Sequence, residues 1–203
     1  MRLNVIYCSA GGNIACVMPL AIKQLLPHLV EEKSRPHLEQ MYPDMLVSVS
    51  PLLNSLPENN PAAAIIEKQD YIFDRKVIKQ LMGNWAIGSP ELQKRWIEEK
   101  EGLFDAEVLG LLPEDLLHPY VSPALHDAAY EVLKEKDIKV VLHAPTSDIL
   151  YEGSLTYLQK CEEHGVKVAF IEGLRGCHTY NIFPPTWMAE SAEANKMIYS
   201  AIE

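Results

Sequence analysis

The stretch Arg2-Leu3-Asn4-Val5-Ile6-Tyr7-Cys8-Ser9-Ala10-Gly11-Gly12-Asn13 decides how this chain reads. Its apolar run (Leu3, Val5, Ile6) stops at Ser9 and gives way to three small residues. Ile14, Val17, Met18, Ala21 and Leu25 then recur at helical spacing. The order is strand, tight turn, helix, with a serine at the apex. A serine on such a turn exposes its Oγ, and the next backbone N–H points at the oxygen of the group under attack. The competing reading is a glycine turn that cradles a phosphate at a helix N-terminus. That reading needs G-x-G-x-x-G and an acidic residue after the following strand, or a Walker lysine. Here the turn is Tyr7-Cys8-Ser9-Ala10-Gly11-Gly12, the next strand (Met45 to Val49) ends in Ser50-Pro51, and the lysine is missing. The serine reading leads.

Outward from the turn, strands alternate with helices. The turn helix is expected from about Asn13 to Leu26, and Pro27 to Pro43 reads as polar loop. The block from Leu52 to Pro119 carries helical patterns and little strand signal, with Ile72, Val77, Ile78, Leu81 and Met82 on one face and a helix start at Ser89-Pro90-Glu91. It reads as a helical lid inserted into a single domain of residues 1–203. Afterwards come a helix (Pro123 to Glu135), a strand (Ile138 to Leu142), a helix (Gly153 to His164) stopped by Gly165, a strand (Val166 to Ile171) and a last helix (Pro185 to Ile202). This alternation predicts an α/β fold, a mostly parallel sheet with helices on both faces.

Composition limits the function classes. An apolar share of 48% supports a proper core, and a net charge of -10 argues against nucleic acid as a partner. Cys8, Cys16, Cys161 and Cys177 lack the spacing of a metal site, so no metal is expected. No leader or membrane-spanning run is visible, which predicts a cytoplasmic protein with reduced cysteines.

In parallel sheets, chemistry gathers at the carboxyl ends of the strands. Ser9, Asp148 and His178 each fall just after a strand, in the chain order nucleophile, acid, base. A serine hydroxyl needs an imidazole to take its proton, and the imidazole needs a carboxylate to fix its tautomer and stabilise its charge. Singly, each assignment has a plain rival. A loop aspartate is usually a solvated turn residue, and Glu152 competes with Asp148 as the acid. The remaining histidines (28, 37, 118, 126, 143 and 164) read as structural or exposed.

Ser9-Ala10-Gly11-Gly12-Asn13 resembles the serine turn of the hormone-sensitive-lipase-like branch of α/β-hydrolases, usually written G-D-S-A-G-G-N. The resemblance continues through Tyr120-Val121-Ser122-Pro123, then Thr146-Ser147-Asp148-Ile149-Leu150-Tyr151-Glu152-Gly153, Tyr157-Leu158 and Gly165-Val166-Lys167-Val168 to His178. It is strongest over residues 3–25 and 118–183. It implies hydrolysis of small carboxylic esters without metal or organic cofactor, with catalytic Ser9, Asp148 and His178 and an oxyanion donor at the Ala10 N–H.

Two departures qualify the resemblance. The family's first glycine and aspartate are Tyr7 and Cys8 here, and a tyrosine at that position is expected to tilt the turn. The family's H-G-G-G loop, which supplies further oxyanion donors, is absent from this sequence; losing one such donor typically costs about 10²–10³ in rate. The chain therefore resembles a truncated α/β-hydrolase fold, with Leu3 to Cys8 as an apolar edge strand. Such an edge predicts a homo-oligomer, a partner chain covering it, or a truncated gene product. Three functions follow: an ester hydrolase, a protein that has lost turnover and binds a small apolar ligand or partner, or a triad reused for acyl transfer or lactonisation.

Overall fold

In a computed structural model of the chain, residues 3–53 and 118–203 are described. The lid-like reading, the apolar face from Ile72 to Met82 and the helix start at Ser89 lie outside these residues almost entirely. Four strands build one sheet: β1 (Asn4–Cys8), β2 (Met45–Val49), β3 (Lys139–Pro145) and β4 (Val168–Gly173). They lie side by side in sequence order, and every pair is parallel, with Val5 beside Leu46, Leu46 beside Val140 and Val140 beside Val168.

Helices α1 (Ala10–Gln24), α3 (Asp127–Glu135) and α4 (Tyr151–Glu163) cover one face of the sheet. Cys16, Tyr130, Leu133, Tyr157 and Cys161 from these helices meet Leu46, Val140 and Leu142 there. Among the described residues, α5 (Glu190–Ile202) covers the opposite face, where Ile198 packs with Val47, Val49, Val141 and Ile171. The two inner strands are therefore apolar on both faces, as a parallel sheet between helix layers requires. That is why Leu46-Val47 in β2 and Val140-Val141-Leu142 in β3 are apolar at successive positions and do not alternate.

Several boundaries differ from expectation for local reasons. Helix α1 begins at Ala10, directly after the turn, because Ser9 alone absorbs the change of direction at φ 53° and ψ -126°. Pro123–Leu125 makes a separate 3-10 turn, and extended His126 (φ -126°, ψ 127°) divides it from α3. The polar segment after α1 contains a short helix α2 (Leu26–Leu29) and 3-10 turns over Glu32–Met41. Helix α5 starts at Glu190 because a turn comes first, in which the Trp187 and Met188 amides donate to Pro184 O. Gly165 does stop α4, at φ 66°, a left-handed backbone that glycine adopts without steric cost.

Candidate active site

The turn after β1 has the strain that a strand-to-helix reversal demands. Ser9 sits at positive φ, its N–H donates to Val49 O at 2.9 Å, and its carbonyl accepts from Gly12 N at 2.9 Å. Close packing behind the turn selects the second glycine. A Cβ on Gly12 would lie 2.7 Å from both Pro51 Cβ and Ser48 Oγ. Asn13, buried, ties the same turn to two loops, its Nδ2 donating to Leu52 O (2.8 Å) and Val121 O (3.1 Å). Tyr7 is accommodated where the resemblance has glycine: its ring lies beside Gly11 and stays half-exposed.

Serine is a common N-cap residue, yet the Ser9 hydroxyl caps nothing in α1. Its Oγ lies 2.8 Å from His178 Nε2, and His178 Nδ1 lies 2.9 Å from Asp148 Oδ2. Asp148 Oδ1 accepts from Leu150 N at 2.9 Å, which fixes the plane of the carboxylate. With Asp148 as acceptor, the proton between these two belongs on Nδ1, leaving Nε2 free to accept from Ser9. The three residues named from the sequence are thus joined in one line, although Ser9 and His178 are 169 positions apart. Asp148 takes the place beside the imidazole, while Glu152 sits in the first turn of α4.

Two loops carry the acid and the imidazole, and hydrogen bonds from backbone amides lock them together. Thr146 N donates to Gly173 O (2.9 Å), Ser147 N to Gly176 O (3.1 Å), and Arg175 N to Thr146 Oγ1 (2.9 Å). On the other side, the Thr179 N–H donates to Ser50 Oγ at 3.1 Å. Sequence reasoning missed Ser50, reading Ser50-Pro51 only as the close of a strand. It also missed the layer beneath the histidine loop, where Tyr180 OH lies 3.3 Å from Nε2 of the fully buried His143. Burial pushes the His143 imidazole down to about 4.

The start of α1 has no acidic residue in its first turn, so its N-terminal partial positive charge is not neutralised by its own side chains. Ala10, the first helical residue, lies in that field directly after Ser9. Among the described residues no cluster of side chains is arranged to hold a metal ion, and no helix is long and apolar enough to cross a membrane. All four cysteines are free thiols, three of them buried. Burial raises the Cys16 thiol to about 11, so it is not a nucleophile near neutrality.

No known family's sequence profile matches the chain, and neither does any curated protein. Solved structures do. The esterase EstE5, from a crystal soaked with ethyl alcohol, aligns with a TM-score of 0.59 at 16% identity, over 96% of this chain and 52% of its own. An esterase of Pyrobaculum calidifontis gives 0.59 at 17%, over 100% and 53%. A hormone-sensitive lipase from a metagenome library gives 0.57 at 14%, over 96% and 53%. The fold is therefore the α/β-hydrolase fold of these esterases, and the chain spans about half the length of the structures it matches.

Proposed function

We propose that the chain is a serine carboxylic-ester hydrolase working through an acyl-enzyme. The observation that carries this reading is the unbroken line from Ser9 Oγ through His178 to Asp148. In the first step, Ser9 Oγ attacks the ester carbonyl while His178 Nε2 takes the hydroxyl proton. Asp148 holds the charged ring, and the Ala10 N–H stabilises the oxyanion. His178 then gives the proton to the departing alcohol, leaving Ser9 acylated. Water attacks the acyl group by the same route and frees the acid. No step calls for a metal or an organic cofactor. Free thiols at all four cysteines support a reducing compartment such as the cytoplasm.

A fluorophosphonate probe read by intact mass tests the reading. Wild type is expected to gain one adduct and Ser9→Ala none. A well-folded wild type that takes no adduct would sink the hydrolase and leave a ligand- or partner-binding protein. Labelling without ester turnover would instead point to acyl transfer or lactonisation.

The open side of the sheet supports a second element of the proposal, an assembled working form. Among the described residues β1 pairs only with β2, and Leu3 (38%), Ile6 (53%), Tyr7 (51%) and Ile14 (50%) are exposed. Unpaired apolar edges recruit further strands. A homo-oligomer is expected in sedimentation, loosened by Ile6→Lys; a partner chain covering β1 is the other form of assembly. A monodisperse monomer that gains no partner overturns both.

A further inference from the structure

We propose that Ser50 is a positioning residue that sets the separation of Ser9 and His178. The inference rests on the hydrolase reading of these two residues. Ser50 directly follows β2, the strand between the one that carries Ser9 and the one that leads to Asp148. The carbonyl of Val49 accepts the Ser9 N–H at 2.9 Å. The hydroxyl of the very next residue, Ser50, accepts the N–H of Thr179 at 3.1 Å, one position beyond His178. Nucleophile and base therefore hang from consecutive residues of one strand end.

The anchor is itself held firmly. Ser50 is 1% exposed, and its own N–H donates to His143 O at 2.8 Å, fixing it to β3. Ser50 and Thr179 both adopt left-handed backbone, at φ 47° and φ 51°. Non-glycine residues persist in that region only where the surroundings over-determine them. Here two such residues, 129 positions apart, face each other across a buried hydrogen bond. Without the Ser50 hydroxyl, the Thr179 N–H loses that acceptor, and a buried amide lacking an acceptor shifts to find one. His178, its immediate neighbour, moves with it.

The two smallest substitutions separate positioning from folding. Ser50→Gly removes the hydroxyl but relieves the left-handed strain, whereas Ser50→Ala removes the hydroxyl and keeps the strain. Thermal stability is expected to be higher for the glycine variant than for the alanine variant. Fluorophosphonate labelling of Ser9 is expected to slow equally in both, about tenfold to a hundredfold, because misplacement of a reacting group by an ångström costs that much. The downfield proton resonance of the His178 ring N–H shared with Asp148 should broaden or vanish in both variants. Labelling at the wild-type rate, or labelling that tracks stability instead of the hydroxyl, overturns the inference. If wild type itself takes no label, the hydrolase reading fails and the ring-proton resonance alone decides. Its persistence unchanged in both variants refutes positioning by Ser50, and its loss supports it.

Discussion

Asp148→Asn should slow acylation of Ser9 by about 10⁴, the loss typical when a triad aspartate becomes an amide. The geometry explains why so small a change acts so strongly. Asp148 Oδ1 is held by the Leu150 N–H at 2.9 Å, and an asparagine keeps that bond only by placing its oxygen there. Its NH₂ group then occupies the position of Oδ2, 2.9 Å from His178 Nδ1. An NH₂ group can only donate, so Nδ1 becomes the acceptor and the ring proton moves to Nε2. That nitrogen faces Ser9 Oγ at 2.8 Å and can no longer take its proton. Fold and packing survive, because the two side chains have nearly the same shape. The rate of probe labelling, with thermal melting as the folding control, checks the expectation. A loss below about tenfold in a stably folded variant would show that the line of three does not act as a triad.

The second large effect is an acid-sensitive stability seated in His143. The ring is fully buried between β3 and Tyr180, and burial lowers its titration from 6.5 to about 4, the Asp148 charge only partly opposing this. Folding thus favours the neutral ring. Between pH 6.5 and about 4 the unfolded chain binds a proton that the folded one does not, so stability is full above that window and falls as the pH falls through it. The total is about 3 kcal/mol, most of it lost by pH 4.5. Replacing the ring by a side chain that does not titrate removes this part of the slope. Denaturant unfolding of wild type and His143→Gln should give curves of stability against pH that converge toward acid. Parallel curves would show that the ring is not the acid-sensitive group.

Much of the fold was legible because its signals are local. The apolar run ending in Ser9-Ala10-Gly11-Gly12 marks a strand and a turn without knowledge of any distant contact, and Gly165 marks a helix end in the same way. The three residues of the candidate site were legible for a related reason. Parallel strands put their carboxyl ends on one side, so residues that follow strands share an edge whatever their separation along the chain. What stayed hidden depends on register and layer. Nothing near Ser50 in the sequence says that its hydroxyl meets the amide of Thr179, because that contact exists only when Ser48 stands beside Leu142 and the histidine loop folds back over β2. The place of Tyr180 is equally silent. Its ring fills the space over Gly176, where a Cβ would lie 2.2 Å from Tyr180 Cε1. The lid expected over residues 52–119 lies outside the described residues, apart from its two ends.

The sequential strand order also governs how the molecule comes together in time. The β3–α4–β4 unit, in which Val140 pairs with Val168, closes over a short connection, and so does the β1–α1–β2 unit, in which Val5 pairs with Leu46. Joining the two requires Met45 to find Lys139, across the longest intervening stretch between paired strands in this sheet. Each doubling of a closed loop adds only about 0.6 kcal/mol of entropic cost, yet distant pairings of this kind dominate the folding barrier. Ser9 arrives with the first unit, Asp148 and His178 with the second. The reactive line therefore has no existence in either unit alone. It exists only where β2 and β3 pair, so whatever loosens that one seam separates the serine from its base without unmaking either unit.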